Sequence, residues 1–355
     1  MVLVLKNPQI ENLVPMDEEI AAIEQAFHEL GEDKAKNSPR ARLRVSWKEE
    51  GGQYYFNNIM GLVPGVKSMA LRIDSSFSKQ VRVDGALRTV YPGDFVGLVF
   101  LFDMDTCELL AIMDDHAIST LRVGATSGVA TKYLARKNAA VMGLIGSGEQ
   151  AKTQLTAAVA VRPIIKVKVY SPTRANRERF AREMSEESGI DVVAVDSAEV
   201  AVRGSDIVTA ATNTVDPVIE GRWLAEGAHV NSIVGGDGYM KRRELDDETI
   251  RRAGLIVVGY KPQIVIDKQA EFAERIERGM VKLEDLHELG ELLTGKCRGR
   301  KNEKEITLFK NNTGMGIQFA ATARLIYEKA KQKGIGVELP LDLFMTRRGD
   351  KLYSP

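Results

Sequence analysis

Gly146, Ser147 and Gly148, with Ala151 at the third small position, have the spacing of a turn that lets a backbone approach a pyrophosphate. The run before them, Ala140-Val141-Met142, is apolar, and Glu149-Gln150-Ala151-Lys152-Thr153-Gln154-Leu155 behind them has a helical pattern. Strand, tight turn and helix start thus follow one another, and the free N–H groups and positive dipole end of such a helix suit an anion. Alone, the motif fits a nucleotide site and a purely structural glycine turn equally well. Other residues offer complementary chemistry. Arg40, Arg42, Arg44 and Arg72 alternate with apolar neighbours, so they face either a cavity or solvent. Arg122 lies among small and apolar residues, where a guanidinium can meet a partly buried anion. Asp237, after Gly235-Gly236, either meets a ligand or serves a turn.

The elements that must position these groups are of two kinds. From Arg40 to Phe102 the hydrophobic period is two, with strands expected at Arg42–Val45, Tyr54–Phe56, Lys67–Ile73 and Phe95–Phe102 between Gly- and Pro-containing turns. Ahead of them, Val2–Leu5 reads as a strand, and Ile20, Ile23, Phe27 and Leu30 form the stripe of a helix that opens at Met16 and stops at Gly31. A hairpin through Asp103–Thr106 leads to a long helix, Ile118–Arg136, whose Gly124, Ala125, Ser127, Gly128 and Ala130 allow another backbone to pack closely. From Ala140 to Val258 strands and helices then alternate, which predicts a parallel, doubly wound sheet. The glycine turn follows the first strand of that series, the context in which it binds a dinucleotide. Asn231 and Asp237 fall at and just beyond the carboxyl end of a later strand, the edge where ligands bind in such sheets. Further on, helices are expected over Ile264–Arg278, Leu283–Leu293 and Ile317–Lys331, a strand at Ile306–Phe309, and no ordered element after Gly334-Ile335-Gly336.

The second strand of the series ends in Tyr170-Ser171-Pro172-Thr173-Arg174, without the acid that bonds the ribose hydroxyls in many NAD sites. Two hydroxyls and an arginine suit a 2′-phosphate and point to NADP(H); the alternative for Arg174 is a solvated helix start. A chain of 355 residues exceeds one ordinary core, so two domains are expected. Lys and Arg total 49 against 49 Asp and Glu, which gives no electrostatic support for binding nucleic acid or a membrane surface. No apolar run approaches the ~18 residues of a membrane span, and the N-terminus lacks the basic flank of a signal peptide. Cys107 and Cys297 are far apart and outside any metal or redox spacing, so reduced thiols in a cytoplasmic protein are expected. His28, His116, His229 and His287 show no spacing for a metal or a catalytic triad; His229, inside a strand, reads as packed and hydrogen-bonded.

With these residues placed, the chain resembles the ornithine cyclodeaminase/mu-crystallin family of NAD(P)-binding proteins. The likeness runs nearly end to end, through Arg122-Val123-Gly124-Ala125 to Tyr133-Leu134-Ala135, residues 143–155, Ala211-Thr212-Asn213, residues 227–233, Arg243-Glu244-Leu245-Asp246 and residues 306–310. It implies an α/β fold: a Rossmann-type doubly wound parallel sheet (123–311) inserted in a strand-rich α+β substrate-binding and dimerisation domain (1–122 and 312–355). A homodimer acting on a small amino or imino acid is implied. Gly146, Ser147, Gly148, Glu149, Gln150, Ser171, Thr173, Arg174, Thr212 and Asn213 are the expected cofactor contacts. Arg122 matches the arginine that grips the substrate carboxylate, assisted by Arg42, with Arg40 and Arg44 as rivals. Asp237 matches the acid/base of the cyclodeaminase branch. Arg72 stands where lysine is usual; it can still clamp a carboxylate but stays protonated and cannot shuttle a proton. Phe319 stands where an aspartate is often found. The implied chemistry is hydride transfer at the α-carbon with deaminating cyclisation of a diamino acid. The alternatives are a net NADP-dependent ketimine reductase or amino-acid dehydrogenase, and a crystallin-like NADPH-binding protein with little catalysis.

Overall fold

The computed structural model describes residues 1–47, 51–83 and 86–346, and their strands form two sheets. In the first, the order is Asp191–Ala194, Lys166–Tyr170, Val141–Ile145, Ile207–Ala210, His229–Ser232, Ile306–Lys310, Ala253–Val258 and His287–Glu288. Every neighbouring pair is parallel. Ile207–Ala210, His229–Ser232 and Ile306–Lys310 in the middle of the sheet are buried along their whole length, as strands covered on both faces must be. The chain steps outward from Val141–Ile145 to Asp191–Ala194 and then returns to the other side of Val141–Ile145 with Ile207–Ala210. That reversal is the switch point of a doubly wound sheet, and it lies beside the glycine turn.

The second sheet runs Val337–Leu339, Val2–Leu5, Leu109–Asp114, Val96–Asp103, Ser68–Val83, Gly52–Val63 and Lys36–Asn37, with Ala41–Ser46 also paired to Gly52–Val63 and Ala86–Val90 to Ser68–Val83. Gly52–Val63 and Ser68–Val83 are far longer than the apolar pattern predicts. Ser68–Val83 continues through Asp74, Ser75, Ser76 and Ser78, whose hydrophilicity hides the strand although the backbone pairs throughout. Gly336, at φ +109°, turns the chain into Val337–Leu339, which adds antiparallel to Val2–Leu5, so order extends past the expected end. The helix expected over Ile264–Arg278 is two short helices, Lys261–Ile266 and Ala273–Glu277. Between them Asp267, Gln269 and Glu271 turn buried side chains toward Arg40, Asn312 and Lys310, and these tertiary bonds override local periodicity. Likewise Leu283–Leu293 is a 3₁₀ turn, a two-residue strand and the short helix Leu289–Leu293.

The helix His116–Leu134 runs continuously through position 122/123 and packs against elements of both halves of the chain. A Cβ on Gly124 would lie 2.7 Å from Thr153 of the helix Glu149–Val161, and one on Gly128 would lie 2.8 Å from Ile20 of Met16–Gly31. The small residues thus set the approach of both neighbours. No helix among the described residues is long and apolar enough to cross a membrane.

Glu19, on Met16–Gly31, is buried; Thr322 of the helix Gly316–Lys333 donates to its Oε1, and its Oε2 has no partner. Burial raises its pKa from 4.5 to about 7, against the opposing Thr322 bond. Because the folded-state value lies above the unfolded one, its stabilisation is complete below pH 4.5 and is lost as pH rises through about 7. Glu19→Gln, neutral at every pH and still able to accept from Thr322, is therefore expected to match the parent at pH 4 and exceed it by roughly 2–4 kcal/mol at pH 8. Urea denaturation at the two pH values measures the difference; equal midpoints at pH 8 contradict the assignment.

Candidate active site

The glycine turn is built as a phosphate corner requires. Gly146 has φ +121°, a left-handed conformation that favours glycine, and a Cβ there would lie 2.2 Å from the Ala211 carbonyl oxygen. Gly148 caps the helix Glu149–Val161 with no side-chain hydrogen bond to the first turn, and a Cβ on it would meet nothing within 4 Å. The approach to the helix N-terminus is thus open, with backbone N–H groups available to an anion. Ser147 donates to Ser171 at 2.9 Å, joining the turn to the end of the neighbouring strand. Thr173 is the N-cap of Arg174–Ser188, and Arg174 is exposed and bonded to Glu178 at 2.6 Å. Glu149 and Asn213 are exposed, while Gln150 has a buried, unpartnered Oε1. Since all strands of this sheet are parallel, Gly146–Gly148, Ser171–Arg174, Thr212–Asn213 and Asp237 lie beyond the same carboxyl edge. These residues fit a dinucleotide.

The strand-rich sheet supplies the arginines. Arg42 lies opposite Asn57, which lies opposite Asp74; Arg44 is two residues from Arg42 and Arg72 two from Asp74, so all of them occupy one face. From that face Arg42 and Arg44 reach Asp237 and Asp267 in segments of the parallel-sheet half, whereas Arg72 pairs with carboxylates of its own sheet. Asp237 is bound by Arg44 Nη2 at 2.5 Å and Arg42 Nη1 at 2.9 Å, and its Oδ1 accepts from the Tyr239 and Met240 amides, each at 2.9 Å. Burial alone would raise its pKa; the Arg44 hydrogen bond, the Arg42 charge and the Met240 amide hold the carboxyl below its ordinary range. Arg42 Nη1 also reaches Asp267 at 2.9 Å, and Arg40 pairs with Asp267 at 2.8 Å. Arg72 is held by Asp115 at 2.5 Å and Asp74 at 3.3 Å. Burial raises the Asp115 pKa, and Arg72 opposes the rise.

Arg122 differs from the rest. Its Nη1 donates to Gln318 Oε1 at 3.0 Å, its guanidinium lies 5.1 Å from the Phe319 ring centroid, and its Nε is buried without a partner. Among the described residues no carboxylate forms an ion pair with it. Burial lowers its pKa from 12.5 to about 9, and the neighbouring Arg72 and Arg40 charges add to the effect. Such a cation is costly until an anion reaches it. It stands close to Gly314, and the adjacent Val123 carbonyl accepts from Asn311 at 3.1 Å, which places the arginine at the carboxyl end of Ile306–Lys310.

Sequence reading missed the scaffold beneath these groups. Glu244 is fully buried; its Oε1 accepts from the Thr212 amide and hydroxyl, both at 2.9 Å, and its Oε2 from Ser232 Oγ at 2.6 Å and the amides of Ile233 and Val234. One side chain thereby ties the Thr212–Asn213 loop to the segment that leads to Asp237. Lys310, 3.9 Å from Glu244 and 3.0 Å from Glu271, balances the buried charge. The Arg-Glu-Leu-Asp run that contains Glu244 was visible only as a motif, with no cue to its partners. Asp267 and Asp115 were likewise unmarked, since their partners are more than 40 residues away in the chain. His229 is packed as read, bonded to Thr307 and Asn231, with burial depressing its pKa to about 3. Cys107 and Cys297 are both free. No cluster of three or more metal-binding side chains occurs among the described residues.

The chain has relatives along nearly its full length. It is 34% identical to the alanine dehydrogenase of Archaeoglobus fulgidus over 339 residues, which covers 95% of this chain and 98% of the other. It is 32% identical to the Delta(1)-pyrroline-2-carboxylate reductase of Bacillus cereus over 335 residues, 94% of this chain and 98% of that one. The solved structure of Thermococcus litoralis Delta(1)-pyrroline-2-carboxylate reductase, in complex with NADH and L-proline, matches with a TM-score of 0.83 at 34% identity, covering 95% of this chain and 100% of that chain. The profile of one family fits residues 2–334, and with the two sheets and the glycine turn it establishes that the chain belongs to the ornithine cyclodeaminase/mu-crystallin family.

Proposed function

We propose that this chain is an NAD(P)-dependent oxidoreductase that acts on the carbon–nitrogen bond of a small amino or imino acid, with net consumption of coenzyme. The observation that carries the reading is Arg122, a buried guanidinium without an anionic partner beside the carboxyl edge of a nucleotide-binding sheet. A substrate carboxylate would supply the missing charge. A nicotinamide coenzyme held over Gly146–Gly148 supplies or removes a hydride when bound. Arg122 anchors the substrate, while Arg72, fixed between Asp74 and Asp115, contributes field and orientation without exchanging a proton. Asp237, ionised and engaged by two arginines, holds Arg42 and Arg44 in place. The relatives above 30% identity, an alanine dehydrogenase and a pyrroline-2-carboxylate reductase, support the net redox reading.

Deaminating cyclisation of a diamino acid is the second reading. It draws on Asp237 at the position of the cyclodeaminase acid/base, and it requires that carboxylate to leave Arg42 and Arg44. Preference for NADP(H) is proposed from Ser171, Thr173 and the exposed Arg174. The functional division proposed, 1–122 with 312–355 for substrate and 123–311 for coenzyme, draws support from the two separate sheets. A homodimer is proposed as well, supported by exposed Leu43 and Val45 on the strand Ala41–Ser46 and Trp47 just after it, and a cytoplasmic location is proposed with it. Spectrophotometry at the nicotinamide band, with NADH and NADPH in parallel, tests the function: stoichiometric absorbance change with a cyclic imino acid or a 2-oxo acid plus ammonia is expected. Ammonia release from a diamino acid at constant absorbance favours cyclisation instead.

A further inference from the structure

The cleft has an uneven charge balance. Arg40, Arg42 and Arg44 share Asp237 and Asp267, and Arg72 takes both Asp74 and Asp115, so these four cations meet four anions. Arg122 is the fifth guanidinium and adds one uncompensated positive charge. These groups are mostly withdrawn from solvent: the side chains of Arg42, Arg44 and Arg72 are 16%, 13% and 14% exposed, and those of Asp74 and Asp237 are 11% and 5%. In such a setting an unmatched charge is screened much less than in bulk water.

We infer that the site selects substrates with a single carboxylate and no other charged group on the side chain: the neutral monocarboxylic amino and imino acids. A second carboxylate would face Asp74, Asp115, Asp237 and Asp267 with every arginine but Arg122 already paired. A side-chain ammonium would find those same carboxylates occupied by arginine, and Arg122 would repel it. The inference rests on the oxidoreductase reading and narrows its substrate class. Asp74 is the natural point of control, since it balances Arg72 and is hydrogen-bonded by Asn57 and Ser76. Removing its charge leaves a second surplus cation.

The test uses the purified full chain and follows nicotinamide absorbance for three substrate groups, L-alanine and L-proline, L-aspartate and L-glutamate, L-ornithine and L-lysine, each as the amino acid with oxidised coenzyme and as the corresponding cyclic imino acid, or 2-oxo acid plus ammonia, with reduced coenzyme. Neutral members are expected to exceed both charged groups in kcat/KM by about tenfold or more. Asp74→Asn is expected to shift the ratio toward aspartate and glutamate by about tenfold; Asp74→Ser serves if the first variant does not fold. A wild-type preference for the dicarboxylic or diamino group overturns the inference, as does an unchanged neutral-to-acidic ratio in the folded Asp74 variant. Turnover of none of the three groups in either direction by protein that binds coenzyme overturns the underlying oxidoreductase reading itself, a distinct outcome.

Discussion

Arg122→Met is expected to lower kcat/KM for the amino or imino acid by about a hundredfold or more, because truncating one partner of a buried charge pair typically costs 2–5 kcal/mol. The loss should fall on substrate, with coenzyme affinity unchanged, since the glycine turn and Ser171 lie on other strands. The same substitution should leave the ligand-free protein as stable as the parent or more so. Replacing a buried, unpaired cation by an apolar chain of similar volume removes a desolvation cost, and Phe319 already offers an apolar neighbour. Reduced turnover with an unchanged or higher melting temperature is therefore the signature of a binding arginine. Reduced turnover with a lower melting temperature would show that Arg122 holds the helix to Gln318 instead. Arg122→Lys should recover only part of the activity, because an ammonium cannot bind a carboxylate in the bidentate geometry of a guanidinium.

Glu244→Ala is expected to cost about 3–5 kcal/mol of stability, the range for breaking a buried ion pair by removing one partner. Three backbone amides, those of Thr212, Ile233 and Val234, lose their acceptor, and Lys310 is left with Glu271 alone. The midpoint of urea unfolding measures this. Coenzyme affinity should fall as well, since Thr212 closes one side of the switch point and depends on Glu244 through both its amide and its hydroxyl. A variant that keeps the parent midpoint would place the load on Lys310–Glu271 and deny Glu244 its part in joining the two loops.

These two residues also mark where the sequence was legible and where it was not. The parallel sheet was readable because its strands are short, apolar and separated by helices, so periodicity and burial coincide; Ile207–Ala210 is the plainest case. Gly146 was readable because a left-handed φ leaves little choice of residue. Arg122 announced itself by standing among small residues near the start of a helix. By contrast, Ser68–Val83 carries polar residues on both faces over much of its length, and hydropathy cannot follow such a strand. Arg40, Arg42 and Arg44 share one parity, so alternation could not choose among them; the structure spends all three on Asp237 and Asp267. Glu244, Lys310 and Glu271 look like ordinary surface charges until the fold brings them together, and no local pattern encodes that meeting. The same holds for the break between Lys261–Ile266 and Ala273–Glu277, which serves distant partners of Asp267, Gln269 and Glu271.

The central claim is a net redox reaction at the carbon–nitrogen bond of a small acid, and coenzyme stoichiometry tests it most directly. With a cyclic imino acid such as 1-pyrroline-2-carboxylate and a limiting amount of NADH or NADPH, the account predicts loss of one reduced coenzyme per molecule of amino acid formed. Constant nicotinamide absorbance while a diamino acid is converted to its cyclic product would contradict it and assign the chain to cyclodeamination.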